Sequence, residues 1–140
     1  MGNRAVILFD DQPEFGVYLH WNGGPESVLA FLEAANGSKP ANLIGFVQTV
    51  ANFFGYEQEQ LSLYVGTPNE LDQDNGDNGT FHVKAGKITH RTHTRLEWSP
   101  SRKACSVATL NPQQRQYYQD VLEACLGFTE AILAHRLAEE

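Results

Sequence analysis

The chain has 140 residues, of which 41% are hydrophobic and 11% aromatic, and it carries a formal net charge of −7. That length and apolar content describe a single domain over residues 1–140 with a packed core, and they exclude a wholly disordered chain. The negative balance argues against a molecule that binds nucleic acid over its whole surface, since phosphate repulsion would have to be overcome locally.

Ala5–Phe9 is a short β-rich apolar run and reads as a strand buried on both faces. Asp10-Asp11-Gln12-Pro13 has turn chemistry, and Gly16–Trp21 alternates as a second strand, so an antiparallel hairpin is expected. The alternation puts Val17, Leu19 and Trp21 on one face and Tyr18 and His20 on the other. Gly23-Gly24-Pro25 then punctuates strand and helix, with proline at the first helical position and Glu26 complementing the helix dipole. The first helix should run over Pro25–Ala35 on the stripe Val28, Leu29, Phe31, Leu32 and Ala35, and stop at Asn36-Gly37.

A second helix is expected from about Pro40 to Gly55, with Leu43, Phe46, Val47, Val50 and Phe54 at three- and four-residue spacing. No charged residue occurs between Pro40 and Glu57, so this helix is either central to the core or covered by a partner. On the second alternative Phe46, Val50 and Phe54 form an interaction surface.

Leu61–Gly66 alternates as a strand, and Asp72–Gly79 is a loop rich in residues that tolerate left-handed backbone. Thr80–Lys84 and Lys87–Trp98 read as a hairpin turning at Ala85-Gly86. Simple alternation places Lys87, Arg91, His93 and Arg95 on one face of its second arm, and Ile88, His90 and Thr92 on the other. Ala104–Thr109 could add a short further strand. The last helix has Asn111 as N-cap, Pro112 at the first position and Gln114 where a capping box requires it, and should reach about Leu137 with Tyr117, Val121, Ala124 and Cys125 along one face. The order ββααβββ(β)α is an α+β pattern: a mostly antiparallel sheet with helices on one face.

Chemistry-bearing constellations are weak. The Asp72–Gly79 loop fits no EF-hand register, leaving a solvated turn or an irregular Ca²⁺ site at Asp72, Asp74 and Asp77. His82, His90 and His93 raise the question of a metal, but two imidazoles without a third ligand make a poor zinc site, so neither a metal nor a cofactor is expected. Cys105 follows Arg102-Lys103, whose charge would lower a thiol pKa, yet no base is placed by the sequence; Cys125 reads as a small buried hydrophobe. No CxxC spacing, signal peptide or run of about 18 apolar residues occurs, so a reduced, cytoplasmic protein without a membrane partner is expected. Six of the ten Lys and Arg residues fall within Lys84–Lys103, against the single acid Glu97. Such a basic ribbon suits a solvated edge, an acidic partner or nucleic acid.

The run Val17–Pro25 (VYLHWNGGP), with the downstream Asp77-Asn78-Gly79-Thr80 strand start, resembles small uncharacterised proteins of bacterial, phage and other mobile genetic elements. The resemblance implies an accessory protein, oligomeric in habit, and carries no catalytic residues over. The leading expectation is a small non-catalytic binding or interaction protein, homodimeric or bound to a protein partner. The alternatives are a ligand-binding protein or hydrolase with a pocket lined by Tyr18, His20, Trp21 and Tyr64, with Cys105 beside them, and a nucleic-acid binder using residues 84–103.

Overall fold

The structure, a computed structural model, describes residues 3–36, 39–55, 63–73, 75–92 and 105–139, with side chains up to residue 127. Five strands, β1 (Ala5–Phe9), β2 (Gly16–Leu19), β3 (Leu63–Gly66), β4 (Thr80–Lys84) and β5 (Lys87–Thr92), form one sheet in the order β3-β2-β1-β4-β5. Three helices accompany it: α1 (Pro25–Ala35), α2 (Leu43–Phe54) and α3 (Pro112–Glu139). This is the expected α+β class. No helix is long and apolar enough to cross a membrane among the described residues.

Two details of the sheet differ from expectation. The sheet is mixed, because β1 pairs antiparallel with β2 and parallel with β4. β1 is apolar on both faces and is satisfied only between two neighbours, so the chain returns through two helices to bring β4 alongside it. The strands also number five among the described residues: within the segment expected as an extra strand, Val107–Thr109 forms a 3₁₀ turn closed by a Ser106–Thr109 capping box.

Odd-numbered residues of β1, β2 and β4 (Ile7, Phe9, Val17, Leu19, Phe81, Val83) join Val28, Phe31, Phe46, Val50, Val121 and Cys125 in one buried cluster. All three helices therefore cover the same face of the sheet. Phe46 is central to this layer, its ring lying 5.5 Å from Phe9 and 6.1 Å from Phe31. Phe46 and Val50 are wholly buried in the chain's own core, and Phe54 is half-buried against it. Phe46 and Val50 therefore offer no surface to a partner, which corrects that expectation for these two; Ile44, on the other side of α2, is its exposed large apolar residue.

The expected capping of α3 is present. Gln114 N donates to Asn111 Oδ1 at 2.8 Å and Asn111 N donates to Gln114 Oε1 at 3.0 Å. Its buried stripe is rotated slightly from the expected one: Tyr118, Val121, Leu122 and Cys125 face the core, while Tyr117 and Ala124 are exposed.

Among the described residues, none of the three helices covers the second face. Instead the connection from edge strand β3 to β4, residues 67–79, crosses it. Leu71 lies over β2, so close that a Cβ at Gly16 would stand 2.8 Å from it and 2.7 Å from Leu8. Asn75 fixes the far half of this crossing. Its Oδ1 accepts from the backbone N–H groups of Asp77, Asn78 and Gly79, and its Nδ2 donates to the carbonyls of Asp72 and Gly79. The stretch expected as a solvated turn is thus pinned, with Asn75, Asn78 and Gly79 buried.

Candidate functional site

The residues singled out around the first elbow come together at one end of the helix-free face. Strand register places Tyr64, Tyr18, Val6, Thr80 and Thr92 in one row across the sheet, so Tyr18 and Tyr64 are cross-strand neighbours. Tyr18 Oη lies 2.9 Å from His20 Nδ1, and burial raises the Tyr18 pKa, keeping the phenol a neutral hydrogen-bonding partner. The ring of Trp21 meets His20 edge-on at 5.3 Å. The alternation that put Trp21 on the face of Val17 and Leu19, away from His20, does not hold: β2 ends at Leu19, the backbone bends, Asn22 takes a φ of 59°, and Trp21 lies beside His20, only partly covered.

The elbow is held by contacts from outside its own segment. Asn3 N donates to the His20 carbonyl at 2.8 Å, and Gly23 N donates to the Asn3 carbonyl at 2.8 Å. A Cβ at Gly23 would lie 2.5 Å from that Asn3 oxygen, which is why glycine stands there. Asn22 Nδ2 donates to Tyr117 Oη at 2.9 Å and to Ser27 Oγ at 3.3 Å, tying the bend to α3 and α1.

Arg4 closes the polar side. Its backbone N and its Nε both donate to Asp77 Oδ2 at 2.9 Å, and its Nη1 stands 3.7 Å from Asp72. The two hydrogen bonds from Arg4 hold the Asp77 carboxyl below the usual carboxylate range and raise the Arg4 guanidinium in turn. Asp77 is therefore engaged by Arg4 through Oδ2, and Asp74 lies outside the described residues. No group of three His, Cys, Asp or Glu is placed to hold a metal ion among the described residues.

The basic ribbon is rearranged by a β-bulge. His82 pairs with His90, but Val83 pairs with Ile88 and Lys84 with Lys87, leaving Thr89 as the extra residue. Lys87 and Arg91 therefore lie on opposite faces, where simple alternation had put them together. Arg91 turns to the helix side, 5.1 Å over the Phe81 ring, with Nε donating to the Asn78 carbonyl at 2.8 Å. Its burial lowers the guanidinium pKa and withdraws it from any ribbon surface. His93 and Arg95 lie outside the described residues.

Cys105 sits on the helix side as well, half-buried against the core and away from the Tyr18–His20 pair. Burial pushes its thiol pKa up, with Arg91 and a hydrogen bond from Thr109 only partly offsetting this. That reverses the activation expected from Arg102-Lys103 and takes Cys105 out of the candidate pocket.

What the site offers is aromatic area, one imidazole, one phenol and a clamped ion pair. Sequence reasoning found the four ring side chains but missed Arg4 and Asn75, and named Asp77 only as a candidate calcium ligand. The signal was present in the paired Asn75-Gly76 and Asn78-Gly79 steps, whose buried amides organise a loop rather than merely permit a turn. No family model, no curated protein and no solved structure matches this chain.

Proposed function

We propose that the protein is a small non-catalytic binding protein, and that its recognition surface is the Tyr64–Tyr18–His20–Trp21 end of the helix-free sheet face. The observation that supports this reading is the convergence of those four rings through strand register and a Tyr18–His20 hydrogen bond, on the face that no helix covers. Tyrosine and tryptophan give rigid contact area with polar tips, which suits recognition of a flat organic ligand or of an aromatic or basic side chain. An accessory role, as the mobile-element resemblance implies, fits a chain whose conspicuous surface is built for contact.

The test is a thermal-shift screen with a panel of aromatic and cationic metabolites. A ligand that binds only the native state at about 100 times its Kd adds about 2.7 kcal/mol of stability, so a true ligand raises the melting temperature visibly. Tyr64→Ala and His20→Ala should abolish that shift without changing the unliganded fold. A panel without hits, or a shift indifferent to both substitutions, would overturn the assignment.

A further inference from the structure

The helix-free face carries a second cluster, away from the four rings of the binding surface. Strand register puts His82 of β4 directly across from His90 of β5, and their rings lie 4.0 Å apart at an angle of 9°. The bulge at Thr89 builds the surroundings of this stack. Thr89 Oγ1 donates to the His82 carbonyl at 3.1 Å and has no second proton, so it accepts from His90 Nδ1 at 3.1 Å. On the other ring, His82 Nε2 lies 3.3 Å from Thr92 Oγ1. A metal ion bound by imidazole lies in the ring plane, and two nearly parallel planes cannot share one. The pair is therefore arranged to stack and not to chelate.

The groups around the stack disfavour charge on it. Burial, then the neighbouring His90, hold the His82 pKa below the ordinary histidine value. Asp10, which follows β1 and donates its N–H to the Val83 carbonyl, pulls the other way without prevailing. Lys84 follows on the same face of β4, and Lys87 stands across from it on β5, so both add positive charge to that side. Arg91 is turned to the helix face. The β1 neighbour of His82 is the apolar Leu8, and the 67–79 crossing brings the uncharged Gln73, whose carbonyl accepts from Thr80 Oγ1. Two charged imidazoles 4.0 Å apart repel each other with only one carboxylate nearby to screen them. The strand they sit on is lightly held. β5 pairs with β4 alone among the described strands, the bulge interrupts that ladder, and Ile88 is its one contribution to the buried core.

We propose that the His82–His90 stack is an acid-responsive latch: neutral rings hold β5 on β4, and proton uptake in mild acid shifts this edge toward a released state in which β5 leaves β4 while β1 to β4 stay paired. The released state takes up more protons than the latched one, because separated and hydrated imidazoles bind protons that the stack rejects. The balance is thus full on the latched side above about pH 6.5 and moves toward release as the pH falls through that value. The proposal goes beyond the ligand-binding reading and uses none of Tyr64, Tyr18, His20 and Trp21.

The experiment is amide hydrogen exchange on the full chain by NMR, at pH 7.5 and pH 5 and at several urea concentrations below the unfolding transition. Protection factors remove the intrinsic pH dependence of exchange. The β5 amides should be less protected than those of β1 and nearly indifferent to urea, as a small opening requires, whereas β1 amides exchange through global unfolding and respond to urea steeply. Between pH 7.5 and pH 5 the β5 protection should fall by up to about tenfold for each unit by which His82 titrates below a free histidine. His82→Gln/His90→Gln should hold its pH 7.5 protection at pH 5, and because this variant keeps His20, a lost response is assigned to the stack. His90→Gln alone, the milder change, should shrink the fall. The proposal is overturned if β5 and β1 share one protection and one urea slope, if β5 protection in wild type does not fall in acid, or if both variants retain the full fall.

Discussion

Removal of the Asn75 side chain tests the structural logic of the helix-free face most directly. The buried amide accepts three backbone N–H groups and donates to two carbonyls, so Asn75→Ala deletes five hydrogen bonds in one step. At about 1 kcal/mol net for each, the ceiling is about 5 kcal/mol. A water entering the space left by truncation would recover part of this, so a loss of about 3 kcal/mol is expected. For a domain of this size that corresponds to a melting temperature lower by about 10 °C. Urea denaturation should show a lower midpoint with an unchanged slope, and amide exchange should accelerate at Asp77, Asn78 and Gly79, whose N–H groups lose their acceptor. Asn75→Asp is the sharper variant. It keeps the shape and one acceptor oxygen but turns the other oxygen toward the carbonyls of Asp72 and Gly79, where Nδ2 had donated. It should be at least as destabilising as alanine at neutral pH. A loss below about 1 kcal/mol for alanine, or an aspartate variant as stable as wild type, would refute the idea that this side chain pins the crossing.

Two further outcomes follow from the geometry. Gly23→Ala forces a Cβ to 2.5 Å from the Asn3 carbonyl and 2.8 Å from Ala5, both on rigid backbone, and should cost about 1–3 kcal/mol; Gly24→Ala meets only the movable Glu26 carboxyl and should stay within about 0.5 kcal/mol of wild type by urea unfolding. His82 stacks on His90 at 4.0 Å with Nε2 3.3 Å from Thr92 Oγ1, and burial, then the neighbouring His90, hold its pKa below the ordinary histidine value against the pull of Asp10. Because its folded pKa lies below the unfolded one, stability is full above about pH 6.5 and declines as the pH falls through that value. His82→Gln should flatten this dependence, and a wild-type urea midpoint that does not fall between about pH 7.5 and pH 5 would contradict it.

Some of this protein is decided by local chemistry alone. The bounds of α1 follow from Pro25 and the apolar stripe, and the N-terminus of α3 from Asn111, Pro112 and Gln114, because capping and periodicity act within a few residues. The first hairpin and the uncharged face of α2 are legible for the same reason, as is the α+β class that their order implies. Tyr18, His20, Trp21 and Tyr64 could be nominated as rings that do not all belong to a core.

What the sequence left open depends on which distant segments meet. That β4 sits beside β1 rather than β3 is set by the need of a doubly buried strand for two neighbours, a long-range condition with no local signature. The bulge at Thr89 shifts one register step and sends Lys87 and Arg91 to opposite faces, which alternation cannot foresee. The same holds for Trp21, which follows a bend fixed by Asn3, and for Cys105, whose surroundings raise its pKa where adjacent sequence charges suggested the reverse. Local sequence determined where helices and strands begin. Only tertiary structure decided which faces remain open, because that depends on the 67–79 crossing and on buried Asn78, which holds the Arg4 carbonyl and the Asn3 side chain from more than seventy residues away.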